Sequence, residues 1–174
     1  MASGDTLFLL SAENFKPTAT LSATPDIVVD ASTPATETPV YDFDGGQDES
    51  VDIPFQVPSF YSEDTGFTFS YKYSMDGTDG DAVELEFRVI KFTDTSTVLT
   101  ADLGIDTATP AVLADTPSDS VANTWNVSGA VALAKADMGN PAPEDRMVLR
   151  ITRDSDHAAN ADDLQLANVY VTET

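Results

Sequence analysis

Two stretches of the chain alternate between apolar and polar residues, and this period of two constrains the fold more than any other feature. The first runs over residues 67–74 and the second over residues 83–90. Such alternation predicts half-buried β-strands, with the apolar side chains toward a core and the others facing water or a polar surface. A Gly- and Asp-rich segment at residues 76–81 joins the two runs, which predicts a β-hairpin.

The rest of the chain continues this signal. Shorter runs predict further strands at residues 121–127, 129–133, 147–152 and 164–172. The last run slips phase near Ala167, as a β-bulge requires. Residues 105–120 predict a loop and residues 132–138 at most a helical turn. Eight or so strands without a βαβ rhythm predict an all-β fold, an antiparallel sandwich of jelly-roll type.

The N-terminal part differs in composition. Residues 11–39 are rich in Pro, Thr, Ala and Ser. Proline fixes φ and removes a backbone donor, so this segment suits an extended arm or edge strands, packed on a neighbouring subunit or lying on the surface as a loop. We therefore expect an N-terminal strand and arm at residues 1–39 and a β-sandwich domain at residues 40–174.

Charge narrows the class of partner. Eight Lys and Arg against 30 Asp and Glu give a net charge of −22. This field repels nucleic acid and anionic membrane surfaces, so neither is an expected partner. It favours cation binding or docking onto a positively charged protein surface, and it also fits hydration in a salty environment. No run approaches the ~18 apolar residues of a membrane span, and we expect no export signal.

The residues needed for common catalytic sites are missing. There is no cysteine and one histidine, His157, which excludes Cys/His catalysis and the usual zinc sites. No Gly-x-Ser-x-Gly motif accompanies the histidine. With 30 acidic residues some close carboxylate pair is inevitable, so a carboxylate-dependent hydrolase is the weakest hypothesis. We predict no catalytic residues and no enzyme activity.

Acidic loops are candidate cation sites. The two expected weak Ca²⁺ sites are Asp76, Asp79, Asp81 and Asp154, Asp156, Asp162, Asp163. Asp- and Gly-rich loops supply the oxygen ligands that calcium takes, although turns favour the same residues for their own reasons. Neither cluster has EF-hand spacing. No other cofactor is expected.

Two aromatic residues are candidate ligand contacts. Trp125 and Tyr61 could contribute to a sugar-stacking platform, as in carbohydrate-binding sandwiches. A lone tryptophan is more often part of a core.

Three segments carry a resemblance to a known group of proteins. They are residues 1–7 (MASGDTL), residues 39–44 (PVYDFD) with Asp48-Glu49-Ser50, and residues 147–156 (MVLRITRDSD) together with the terminal Val169–Thr174. Together they resemble small β-sandwich virion proteins of tailed bacteriophages, of the capsid decoration or cement type.

The resemblance implies a jelly-roll that acts by adhesion. The expected function is a structural virion protein, often a homotrimer, that binds the major capsid protein on the outer capsid surface and stabilises contacts between capsomers after assembly in the host cytoplasm. The alternative is a recognition module, either a tail- or head-fibre domain or a carbohydrate-binding sandwich. The long Pro/Thr-rich stretch at residues 11–39 departs from the group's pattern.

Overall fold

The computed structural model describes residues 6–62, 66–92, 104–118, 121–156 and 159–174. These residues form twelve β-strands and three short 3-10 turns. The strands in chain order are β1 (Thr6–Ser11), β2 (Lys16–Pro17), β3 (Thr24–Val29), β4 (Glu37–Phe43), β5 (Ser50–Gln56), β6 (Phe67–Met75), β7 (Val83–Lys91), β8 (Ala111–Asp115), β9 (Asn126–Val127), β10 (Val131–Leu133), β11 (Arg146–Arg153) and β12 (Leu164–Glu173).

The strands form two sheets. The five-stranded sheet has the order β2-β5-β11-β7-β8, and the seven-stranded sheet has the order β10-β6-β12-β4-β3, with β1 beside β12 and β9 beside β6. All pairings between these strands are antiparallel. The prediction of an all-β antiparallel sandwich of jelly-roll type is confirmed.

The core lies between the inner faces of the two sheets. The alternate apolar residues of β6 and β7 are fully buried there, and the rings of Phe69 and Phe87 stack 5.2 Å apart across the interface. The same parity holds in β11 and in β12, where the expected bulge appears as a register shift between Leu166 and Asn168. Burial of this continuous apolar layer is the main source of stability.

The predicted hairpin at residues 76–81 is wrong. β6 lies in the seven-stranded sheet and β7 in the five-stranded sheet, so the segment connects the two layers. Period-two alternation is the same for two paired strands and for two strands that face each other across a core. The pattern therefore fixed which side chains are buried but not which strands pair.

Three smaller expectations also need revision. The expected loop at residues 105–120 contains β8, which pairs with β7 at the sheet edge. Of the expected strand at residues 121–127, only β9 is a strand, because residues 121–123 form a bend and a turn. The helical turn is a 3-10 turn at Lys135–Met138, which ends at Gly139 with a left-handed φ of 76°.

The N-terminal strands lie at edges, as the prolines predict. β1 pairs with β12, β2 extends the five-stranded sheet beside β5, and β3 ends the seven-stranded sheet beside β4. The division into an arm and a domain at residue 39 stays a prediction. No helix in the part of the chain described is long and apolar enough to cross a membrane.

Candidate functional site

The outer face of the five-stranded sheet is organised into rows of side chains that run across the strands. Strand pairing aligns a hydroxyl and carboxylate row, a charged row and an apolar row. In that order they are Ser50, Thr152 and Glu86; Lys16, Asp52, Arg150 and Arg88; and Pro54, Val148 and Ile90. Successive rows are two residues apart along each strand, or roughly 7 Å. The surface therefore changes from polar to apolar over a short distance.

Arg150 is the centre of the charged row. Its Nε and one terminal nitrogen donate to the two oxygens of Asp52 at 2.7 and 2.8 Å, a bidentate pair, and its other terminal nitrogen donates to Asp106. The hydrogen bond to Asp52 raises the pKa of Arg150 above its ordinary value, against the effect of burial. Beside it, Arg88 pairs with Glu86.

Two loop segments flank the rows and make the face a groove. Residues 18–21 follow β2 on one side, and the 3-10 turn at Ile105–Thr107 approaches from the other. The polar part of the groove has a volume of about 560 Å³ and the apolar part about 390 Å³. Arg150 and Asp106 line both parts, so the groove is continuous from the hydroxyl row to the apolar row.

The groove face holds much of the chain's positive charge. Lys16, Arg88, Arg146 and Arg150 lie on it, four of the eight Lys and Arg residues in the sequence. Glu84, Glu86, Asp52 and neighbouring acidic residues are interspersed with them. The residues that line the groove include five carboxylates and three cations, a much more even ratio than the 30 acidic and eight basic residues of the whole chain.

Trp125 lies elsewhere, half-buried on the outer face of the seven-stranded sheet. The ammonium group of Lys72 lies 4.7 Å from the centre of its ring, a cation–π contact. Tyr61 is 3 % exposed and packs edge-on against Phe67 in the core. The two aromatic residues proposed from the sequence do not share a surface, and a ligand-binding role for either stays a prediction.

The two acidic clusters meet at one end of the sandwich. Asp76 accepts a hydrogen bond from the backbone N–H of Asp163, and Asp79 accepts from Asp81 and Ala161. These backbone donors lower the pKa of Asp79. Asp162 accepts from the N–H of Asp79. Much of the acidity here thus joins loops to one another.

The remaining members of the second cluster lie apart. Asp154 lines the groove and accepts from the N–H of Asp156. Within the described ranges no group of three or more His, Asp or Glu side chains is placed to hold a metal ion. Calcium binding therefore stays a prediction. His157 lies outside the described residues.

A buried arginine joins the loops at the acidic end. Arg153 is fully buried at the end of β11 and donates to the carbonyl oxygens of Phe43 and Asn160, both at 2.8 Å. Burial lowers its pKa, while the surrounding carboxylates oppose that shift. A single cation thus holds the β4 and β11 ends together.

Sequence reasoning missed the groove residues Asp52, Arg150 and Asp106. It did assign the polar face of β7, with Glu86 and Arg88, to water or a polar surface. The missing step was strand order: β5, β7 and β11 are far apart in sequence, and only their pairing aligns the rows. The one available signal was the alternation of Arg146 and Arg150 with the buried residues Met147, Leu149 and Ile151.

Comparisons with known proteins gave structural neighbours only. No protein-family model and no curated protein sequence matches the chain. Among solved structures it is similar to the C-terminal CBM6 of a marine laminarinase from Zobellia galactanivorans (12 % identity, 95 % and 98 % of the two chains, TM-score 0.47). It is also similar to TmCBM27, a carbohydrate-binding module with specific mannan recognition (10 %, 99 % and 99 %, TM-score 0.47). A third is a carbohydrate-binding module, CBM36, in complex with calcium and xylotriose (8 %, 94 % and 98 %, TM-score 0.43).

Proposed function

We propose that this chain is a non-catalytic recognition module that binds a neutral carbohydrate along the groove of the five-stranded sheet. The observation that carries the proposal is the row of paired charges, Asp52, Arg150 and Arg88, beside an apolar row in one open groove. The carbohydrate-binding sandwich was part of the alternative function reached from the sequence, and the proposal assigns its ligand to this groove.

The chemistry of the rows suits a polyhydroxylated ligand. A hydroxyl group both donates and accepts, whereas a carboxylate only accepts and a guanidinium only donates. The charged row contains both kinds of group, and each carboxylate oxygen of Asp52 keeps acceptor capacity beyond its bond to Arg150. In the apolar row Pro54 is exposed and Ile90 is partly exposed, and these two residues provide a surface for the C–H face of a sugar ring.

Charge favours a neutral ligand over an anionic one. Each guanidinium in the row already has a carboxylate partner, so no excess positive charge is left for an anion. The field of a −22 chain also opposes the approach of acidic polysaccharides.

The same pairing argues against hydrolysis. A glycosidase needs one carboxyl group kept as an acid in apolar surroundings. Asp52 and Asp106 instead lie against Arg150, and Glu86 lies against Arg88. Binding without bond cleavage is the activity that this arrangement supports.

The test is affinity electrophoresis of the full chain in gels that contain a mannan, a xylan or a β-1,3-glucan, with an acidic polysaccharide as a further probe. We expect retardation by a neutral polymer and no release of reducing sugar. Arg150→Ala and the milder Arg88→Gln should each reduce the retardation. Lys72→Ala, on the opposite face, is the matched control and should leave it unchanged.

Three results would overturn the proposal. One is that no neutral polymer retards the protein. Another is that Arg88→Gln and Lys72→Ala retain the wild-type retardation equally. The third is stronger retardation by the acidic polymer, which would place the ligand among anions. Release of reducing sugar would contradict the non-catalytic assignment alone.

A second candidate function is structural: a decoration protein that binds the major capsid protein as a trimer on the virion surface. It is favoured by the acidic surface outside the groove, where residues 22–47 include five carboxylates and no Lys or Arg. Mass spectrometry of purified virions tests it. Near-stoichiometric abundance relative to the shell protein supports decoration, and absence from virions excludes it.

A further inference from the structure

The β-strands β3 and β4 form a two-stranded ribbon, residues 24–40, at the end of the seven-stranded sheet. Only Tyr41, Asp42 and Phe43 of β4 pair with β12, while the segment before them pairs with β3 alone in the described structure. Five of the six β3 residues are exposed, including Ile27 at 50 % and Val29 at 56 %. A two-stranded ribbon is marginally stable by itself, and one with exposed apolar residues gains from a third strand.

The free edge of the ribbon presents unpaired backbone groups. Asp30 donates its N–H to the carbonyl of Thr36, which places residue 30 and its even-numbered neighbours in the hydrogen-bonded pairs of the antiparallel ladder. The odd-numbered pairs, among them Ile27 with Pro39, exchange no such bonds. The N–H and C=O groups of Ile27 and Val29 therefore point away from β4, toward the open edge.

The ribbon is uniformly acidic. Residues 24–40 contain Asp26, Asp30 and Glu37 and no Lys or Arg, and no Lys or Arg occurs between residues 17 and 71. A second groove, separate from that of the five-stranded sheet, lies beside β3 and has a volume of about 390 Å³. It is lined by Phe15, Ile27 and Pro39 among others and can receive apolar side chains. The surface thus combines strand-pairing groups, an apolar groove and negative charge.

The geometry points to β3 as a docking edge for an extended segment of a partner protein, one in which Lys or Arg alternates with apolar residues. Its backbone would continue the sheet beyond Ile27 and Val29, and its apolar residues would contact the groove beside β3. Its cations would lie on the other face of the ribbon, which carries Asp26. This inference does not depend on what the groove of the five-stranded sheet binds.

A second copy of the chain fits this edge less well. Two ribbons without a single cation would face each other in chains that carry −22 each, so like charges would be opposed along the new pairing. Charge complementarity therefore selects a basic partner.

The probe is a synthetic ten-residue peptide of alternating lysine and valine, labelled for fluorescence anisotropy and titrated with the full chain at low salt. We expect saturable binding that weakens as salt rises. A peptide of alternating glutamate and valine controls for charge. A lysine–valine peptide with two central prolines controls for strand pairing.

Two substitutions at one position separate pairing from apolar contact. Ile27→Pro removes an outward N–H and leaves the bonds between β3 and β4 in place, because Ile27 is in a non-bonded pair. It should weaken binding at least tenfold, or about 1.4 kcal/mol. The matched control Ile27→Thr keeps the N–H and should weaken binding less. Asp26→Lys should weaken binding of the lysine–valine peptide and strengthen binding of the glutamate–valine peptide.

The inference is wrong if the lysine–valine peptide does not bind, or if it binds equally to wild type and Ile27→Pro. If the proline-containing peptide binds as tightly as the lysine–valine peptide, the interaction depends on charge and not on strand pairing, and the inference is also wrong. Dimerisation of the wild-type chain that Ile27→Pro abolishes, measured by sedimentation at high salt, would make a second copy the occupant and overturn the assignment of a basic partner.

Discussion

The groove and the β3–β4 ribbon differ in whether their carboxylates are paired with cations. In the groove, Arg150 and Arg88 form ion pairs with the carboxylates beside them. In the ribbon no cation is present, and the acidic residues act through their common field. The comparison shows that a net charge of −22 is not spread evenly: half of the cations are gathered on one face, which leaves another region acidic.

Two aspartates make the difference concrete. Asp52 holds a bidentate hydrogen bond from Arg150. Asp42, at the base of the ribbon, is half-buried with Oδ1 unpartnered in the described structure. Burial, with further repulsion led by Asp163 and Asp26, raises the pKa of Asp42 to about 6. One carboxylate stabilises the fold when ionised and the other destabilises it.

The largest effect on stability should come from removing Arg150 from the groove. Arg150→Ala leaves Asp52 and Asp106 without their cation and should lower the free energy of unfolding by about 2 kcal/mol, since hydrogen bonds to charged groups count for roughly 1.5–3 kcal/mol and this pair is partly exposed. Urea denaturation at neutral pH measures it. Lys16→Ala, in the same row but exposed, is the control and should change stability by less than about 0.5 kcal/mol. Equal effects of the two would show that the pairing contributes no stability.

The second prediction has the opposite sign. Because the folded pKa of Asp42 lies above that of an unfolded aspartate, the native state binds more protons between pH 4 and 6, and stability from this group falls as pH rises through that window. Asp42→Asn should therefore stabilise the protein at pH 7.5, by about 1–2 kcal/mol after allowance for solvent screening. The gain should vanish near pH 4.

Asp52→Asn is the matched control for that experiment. It removes a paired carboxylate in place of an unpaired one and should destabilise the protein at the same pH. Urea titrations at pH 4 and pH 7.5 with both variants give the comparison directly. If both substitutions shift stability in the same direction at pH 7.5, the contrast between the two regions is wrong.

The sequence predicted only those features of the fold that period-two alternation and proline positions can indicate. It identified the buried residues of β6 and β7, the bulge in β12 and the edge position of the proline-containing strands. It could not tell hairpin partners from strands that face each other across the core, so the pairing of β6 and β7 was wrong. The groove was hidden for the same reason, because Asp52 and Arg150 are 98 residues apart and meet only through strand order.

A smaller effect is expected on the outer face of the seven-stranded sheet, which has neither the groove's ion pairs nor the ribbon's acidity. Lys72 lies over the ring of Trp125 there. Lys72→Ala should cost about 0.5 kcal/mol and should increase quenching of Trp125 fluorescence by acrylamide, because the ring loses its cover. Lys72→Arg should retain both properties. Unchanged quenching in Lys72→Ala would show that the ammonium group does not shield the ring.

The smallest effect should appear at the tip of the ribbon, where Asp30 is exposed but accepts hydrogen bonds from the hydroxyl and N–H of Ser32 and the N–H of Thr36. These bonds, led by the Ser32 hydroxyl, lower the pKa of Asp30 to about 2. A lowered carboxylate pKa means that its stabilising contribution is present above the unfolded value near 4 and is lost as pH falls toward 2. The amide resonances of Ser32 and Thr36 should therefore titrate with a midpoint near pH 2, and Asp30→Ala should remove that titration. A midpoint near 4 would show that the hydrogen bonds to the Asp30 carboxylate are not maintained in solution. The tip of the ribbon next to β3 would then lack the order that these bonds provide.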